Sequence, residues 1–235
     1  MKPYQIIPIR ECDEPLVSIP PEILILESPH PYQKLGANYQ GKSPYSLRQG
    51  VLDALIKAQN QLQSIHLDWK IKVFDAYRPI EVQRFMVNYT FDFMLAKNHL
   101  NLEELAPEET EKIWQKVYQF WAIPSDNPAT PPPHSTGAAV DVTLVDQTGK
   151  IVDFGGEIDE ISPRSFPNYY AKSPLKIEKE YHNNRELLRQ IMEDNGLIRH
   201  PQEWWHFSLG DQMWAWQIRQ KFPEQKNLVA RYGMV

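Results

Sequence analysis

The stretch Pro131–Thr143, PPPHSTGAAVDVT, constrains this chain more than any other. Three consecutive prolines fix φ and remove backbone donors, so neither a helix interior nor a central strand can run through them. After Gly137 the pattern changes to that of a strand over Ala139–Val145. Val140, Val142 and Leu144 fall on one face, and Asp141 and Thr143 on the other. A stiff loop therefore enters a strand, delivering His134 from the loop and Asp141 from the face turned away from the aliphatic side. Each residue also has a plain reading, His134 as a loop histidine and Asp141 as a chance carboxylate. The rest of the chain has to decide between the two.

Residues 1–45 are rich in proline and turn formers, with one short apolar run at Ile23–Leu26, and predict an irregular segment wrapped over the domain. Its tyrosines Tyr32, Tyr39 and Tyr45 either line a pocket or pack beneath a long surface loop. From Ser46, a capping residue, Leu47, Val51, Leu52, Leu55, Ile56 and Leu62 recur at helical spacing. Leu67, Trp69, Ile71 and Val73 alternate with polar residues as a half-buried strand ending at Asp75-Ala76-Tyr77-Arg78-Pro79. Pro79 suits the first turn of a helix with Val82, Phe85, Met86, Tyr89 and Phe93 as its apolar set. Arg78 thus stands at a strand-to-helix junction, where side chains commonly enter sites, although ion-pair arginines are common there too.

A further helix from near Pro107 shows Ile113, Trp114, Val117, Tyr118 and Trp121 on one face. Beyond Val145, Asp146–Lys150 reads as a hairpin turn, returning through Ile151–Phe154 to Gly155-Gly156, with loop over Glu157–Ser173. Asn184 is placed to cap a helix carrying Leu187, Leu188, Ile191 and Met192, with Gly196 as its stop. Trp204–Leu209 reads as a last core strand and Asp211–Phe222 as a short helix packed by Trp214 and Ile218. No repeat or composition shift marks a second domain, so residues 1–235 are read as one.

The best partner for His134 and Asp141 is Glu203-Trp204-Trp205-His206. Cys12 is the only cysteine, which excludes an intrachain disulfide and a cysteine-based metal site. His134, Asp141 and His206 together form a set suited to one zinc per chain with an open position. Glu203, three residues from a ligand, would accept a proton from the attacking water, and Arg78 would hold the oxyanion. These parts specify amide hydrolysis. One constraint follows: in an extended strand Glu203 and His206 face opposite ways, so the backbone must bend near Glu203. His30, His66, His99, His182 and His200 have no comparable carboxylate context and are given no role.

HSTGAAVD resembles the HxxGxAxD motif, and EWWH the ExxH motif, of the zinc D-alanyl-D-alanine dipeptidases, VanX-like relatives of the zinc D,D-carboxypeptidases. DAYRP at 75–79 is similar to that family's arginine segment, and NRELLRQIMEDNG followed by EWWHF to its last helix and strand. The resemblance runs from about Asn38 to Leu209. It implies zinc on His134, Asp141 and His206, Glu203 as general base, Arg78 stabilising the transition state, and Asp159 binding the substrate ammonium, with Tyr32 as a further substrate contact. It also implies an α+β domain with a central antiparallel sheet flanked by helices, the D,D-peptidase or hedgehog-like zinc fold. Pro132 stands where these enzymes often carry a substrate-contacting serine, so carboxylate recognition departs from that pattern.

The expected reaction is hydrolysis of D-Ala-D-Ala to two D-alanines. The alternatives are a zinc D,D-carboxypeptidase or muropeptide peptidase acting on longer wall peptides, and a non-catalytic zinc-binding protein with a closed site. The 25 basic and 30 acidic side chains give a charge of −5 without a basic run, which argues against nucleic acid as a partner. No long apolar segment argues for a membrane span or secretory signal, so a cytoplasmic location is expected.

Overall fold

The strand bearing Asp141 is the middle of a five-stranded sheet in the computed structural model, which describes residues 2–235. In chain order the elements are β1 (Leu16–Ser18), β2 (Ile25–Leu26), the one-turn α1 (Pro31–Lys34), β3 (Ser46–Arg48), α2 (Gln49–Ile65), β4 (Lys70–Asp75), α3 (Ile80–Lys97), α4 (Pro107–Phe120), β5 (Ala139–Val145), α5 (Lys176–Glu193), β6 (Ile198–Arg199), β7 (His206–Ser208) and α6 (Gln212–Lys221). The sheet runs β2-β4-β5-β7-β6 and is antiparallel except at its edge, where β2 lies parallel to β4. β1 and β3 form a separate antiparallel pair. This is the α+β architecture expected, a sheet flanked by helices.

Every residue of β5 is buried. Val140, Val142 and Leu144 join Ile71 and Val73 of β4 under α2, through Val51, Leu55 and Leu62, and under α5, through Leu188, Ile191 and Met192. Burying each such side chain contributes about 1.5–3 kcal/mol. A one-residue slip of β5 would drive Asp141 into this layer, so the apolar face fixes the register that the site needs. α3 and α4 pack on each other through Val82, Met86, Ile113 and Val117 and, with Tyr32 and Trp121, build a second apolar cluster.

Several expectations are corrected by tertiary pairing. Ile25–Leu26 is not loop but the sheet's edge strand, and Ser46 caps nothing because it lies in β3, opposite Ser18; the helix begins only at Gln49. β4 starts at Lys70, leaving Leu67 78% exposed. α3 buries Val82, Met86, Val87, Phe91 and Leu95 and leaves Tyr89 and Phe93 outside. Ile151 makes one bridge to Val145 instead of a return strand. Asn184 is interior to α5, its amide donating to the Asp153 carbonyl at 2.8 Å. That helix begins at Lys176, in a polar run with no apolar stripe to announce it. Among the described residues no helix is long and apolar enough to cross a membrane.

Candidate active site

Directly opposed residues of antiparallel strands project to the same face of a sheet. Asp75 of β4 opposes Asp141 of β5, which opposes His206 of β7. The His200 N–H bonds the His206 carbonyl at 2.8 Å and extends the row. A register shift between Val73 and Asp75 brings Asp75 into line, the usual local effect of a bulge. Four ionisable side chains thus cross the sheet side by side.

His134 reaches this row from the 3-10 turn Pro133–Thr136. The turn ends at Gly137 with φ +70°, where a Cβ would lie 2.5 Å from Leu16 Cδ1, so any other residue would be strained there. The loop is stitched to the end of β4: the Arg78 N–H donates to the His134 carbonyl at 3.2 Å, and the Ser135 hydroxyl to the Arg78 carbonyl at 2.8 Å. His134 Nδ1–H donates to the Ala76 carbonyl at 2.7 Å, which sets the tautomer and leaves Nε2 a bare lone pair. Nε2 lies 3.1 Å from His206 Nδ1 and 3.3 Å from Asp141 Oδ2, while His206 Nδ1 lies 3.0 Å from Asp141 Oδ1. Ligand atoms of the three buried side chains all fall within 4.8 Å of one another. Buried Asp141 Oδ1 and His206 Nε2 have no hydrogen-bond partner among the described residues. His134 Nε2, His206 Nδ1 and the Asp141 carboxylate converge in a buried place, and two imidazoles with one carboxylate fit a divalent metal.

The chain turns at Pro201-Gln202 and enters β7 only at His206, so strand alternation does not bind Glu203. Its Oε2 lies 3.7 Å from His206 Nδ1 and 3.8 Å from His200 Nδ1. Burial pushes the Glu203 carboxyl up to about 7, reinforced by Asp141 and Asp159 and opposed by His206 and Lys2. Burial and the neighbouring His206 hold His200 well below the ordinary histidine range.

Arg78 is clamped. Its Nε and Nη2 donate to Asp75 Oδ2 at 3.0 and 2.7 Å, Nη1 donates to Gln83 Oε1 at 2.8 Å, and Nη2 also reaches the Tyr32 hydroxyl at 3.0 Å. Its guanidinium lies over the rings of Tyr32 and Trp121, 4.9 and 5.0 Å from their centroids. Burial works against its charge, but Tyr32, Asp75 and Asp141 keep it firmly protonated. The Tyr32 hydroxyl donates to Asp159 Oδ2 at 2.8 Å. Burial, then the Asp141 charge, raises Asp159 to about 7 against the pull of Arg78. Behind the row, His30 Nδ1 accepts from the Tyr32 N–H at 3.3 Å and Nε2–H donates to Asp75 Oδ1 at 3.1 Å.

His134, Asp141, His206, Glu203, Arg78 and Asp159 line one pocket with Lys2, Tyr4 and His200. Tyr32 stands behind its wall, 1% exposed, and touches the pocket through Asp159 and Arg78. The sequence reading missed Asp75, His30, His200 and Lys2. Asp75 was findable as the last residue of a strand and an i,i+3 partner of Arg78. His30 carries no local signal, because Asp75 meets it only through the fold, whereas His200 stands three residues before Glu203 and was findable as its i,i+3 neighbour.

A buried His–Asp–His cluster on a sheet face, flanked by an unligated carboxylate and a fixed guanidinium, defines a metal-dependent peptidase. The family model for Peptidase_M15, described as D-ala-D-ala dipeptidase, matches residues 26–227, and the chain belongs to that family. It is 53% identical to a D-alanyl-D-alanine dipeptidase of Synechocystis sp. over 241 residues, covering 100% of this chain and 97% of the relative. A D-alanyl-D-alanine dipeptidase of Enterococcus faecalis is 28% identical over 160 residues, 68% of this chain and 71% of that one. One from Escherichia coli is 41% identical over 76 residues, 32% and 37% of the two chains.

Proposed function

We propose that this chain hydrolyses the dipeptide D-Ala-D-Ala to two D-alanines, with one zinc held by His134, Asp141 and His206. The observation that carries this reading is that Glu203, Arg78 and Asp159 all face the same buried His–Asp–His cluster. Zinc bound there supplies Lewis acidity, which polarises the scissile carbonyl and makes a water acidic enough to attack near neutral pH. Glu203 accepts the proton of that water and delivers it to the leaving amine. A buried carboxyl that stands beside the cluster without ligating it is placed for both halves of that task. Arg78, already fixed by Asp75, Gln83 and Tyr32, receives the developing oxyanion without reorganising. Asp159 binds the substrate ammonium, whose charge favours its ionised form, while Tyr32 holds Asp159 and Arg78 in mutual register.

The relatives named D-alanyl-D-alanine dipeptidase support this substrate over longer wall peptides. A cytoplasmic setting is part of the proposal, and cell fractionation tests it. The decisive assay compares zinc-loaded protein on D-Ala-D-Ala, N-acetyl-D-Ala-D-Ala and a longer peptide with the same C-terminus. Cleavage of the free dipeptide alone supports the reading. Equal cleavage of all three defeats it in favour of a carboxypeptidase, and zinc binding without turnover favours a non-catalytic zinc protein.

A further inference from the structure

The pocket contains a cation that the chemistry above leaves unused. Lys2 lies on its wall with Arg78, His134, Asp159, Glu203 and His206. The backbone there is anchored: the Lys2 N–H donates to Gln5 Oε1 at 2.8 Å, Tyr4 is buried, and Gln212 Nε2 donates to the carbonyls of Gln5 and Ile7 at 3.3 and 2.6 Å. Among the described residues no carboxylate comes within 4.0 Å of the Lys2 ammonium. Arg78, by contrast, already has Asp75, Gln83 and Tyr32 as partners. A half-buried lysine on the pocket wall that feels the charge of Glu203 but touches no carboxylate leaves room for an incoming anion to complete it.

The two ends of the pocket carry opposite charges. Asp159 hangs from Tyr32 and Arg78 on the side of β4. Lys2 lines the pocket together with Glu203 and His200, which stand 3.8 Å apart on the side of β6 and β7. A free dipeptide is a zwitterion, so with its ammonium on Asp159 its carboxylate lies across the His134–Asp141–His206 cluster. The leaving amine that takes a proton from Glu203 belongs to the same residue as that carboxylate. The carboxylate therefore falls within one residue's length of Glu203, in the neighbourhood of Lys2.

Resting on the dipeptidase reading, we propose that Lys2 is a substrate-binding residue: its ammonium receives the free carboxylate of the C-terminal residue and confines that end of the pocket to unblocked chain ends. The separation of function is then clean. Asp159 reads the amine, Lys2 reads the acid, and the metal ligands and Glu203 between them act on the bond.

The test uses zinc-loaded wild type, Lys2→Met and Lys2→Arg on D-Ala-D-Ala and on its C-terminal amide, whose binding is read as inhibition where it is not cleaved. Loss of a hydrogen bond between charged groups predicts that Lys2→Met raises KM for the free acid about ten- to hundredfold. kcat should change little, Lys2→Arg should recover most of the loss, and affinity for the amide should be the same in wild type and Lys2→Met. An unchanged KM for the free acid overturns the proposal. So does an equal loss on acid and amide, which marks a structural effect. A fall in kcat on both substrates with a displaced acid limb of the pH profile also overturns it and makes Lys2 a residue that tunes Glu203. Failure of the wild type to cleave D-Ala-D-Ala defeats the dipeptidase reading itself, and this proposal with it.

Discussion

Replacing Asp75 with asparagine should cost both stability and rate, although Asp75 does not line the pocket. Its Oδ2 takes two charge-assisted bonds from Arg78, and the two side chains are 0% and 5% exposed. Removing one partner of a buried pair costs about 3–5 kcal/mol. Asparagine retains one acceptor, so the lower figure, about 3 kcal/mol, applies. Its amide NH2 then faces His30 Nε2–H and the Tyr39 hydroxyl, so His30 must change tautomer and forfeit the Tyr32 N–H bond. In a domain of this size, that loss lowers Tm by roughly 6–12 °C. An oxyanion donor no longer held in place costs about 10²–10³ in kcat. Calorimetry and steady-state kinetics on zinc-loaded protein read the two effects separately. A Tm within about 2 °C of wild type together with an unchanged kcat would refute the idea that Asp75 fixes Arg78.

Alanine at His134, Asp141 or His206 should each strip most of the zinc, because each supplies about a third of the protein ligands; metal analysis after dialysis checks this. Glu203→Ala should keep the metal and lose about 10²–10⁴ in kcat, read by metal content and turnover on the same sample. In metal-free protein Glu203 titrates higher folded than unfolded, so the unfolded carboxyl ionises first. Its contribution is thus fully present below the ordinary carboxyl value of 4.5 and lost as pH rises to about 7. Chelated wild type should accordingly lose Tm over that window relative to chelated Glu203→Gln; identical slopes would contradict this. Asp159→Asn should narrow the preference for free over N-acetylated dipeptide without removing zinc, as kcat/KM for the two compounds would report.

The parts of the fold legible in the sequence were those with strong local periodicity. β5 was found at its observed bounds because its aliphatic residues face a helix layer and its carboxylate does not. The illegible parts depend on partners distant in sequence. Ser46 reads as a cap until Leu16–Ser18 claims its backbone for a strand pair. Glu203 and His206 can share one site only if the backbone bends near Glu203, and the turn at Pro201-Gln202 supplies that bend by placing Glu203 outside the strand. His30 has no acid near it in sequence and gains one through strand order, Asp75 being the last residue of β4, whereas the acid beside His200 is Glu203, three residues on, brought round by the turn at Pro201-Gln202.

Charge accounts for why these particular residues belong together. Asp75 and Arg78 neutralise each other, which leaves Asp141, Asp159 and Glu203 with Lys2 as the formal charges of the pocket. That set carries a surplus of negative charge that burial does not tolerate, and in the metal-free pocket Asp159 and Glu203 are both pushed up to about 7. A divalent cation held by His134, Asp141 and His206, as proposed, would remove the surplus and favour the ionised form of both carboxyls. A zwitterionic dipeptide then enters without changing the total, whereas a peptide blocked at either end brings one uncompensated charge. On the proposed roles, the same arithmetic that calls for the metal would also select a substrate with both ends free.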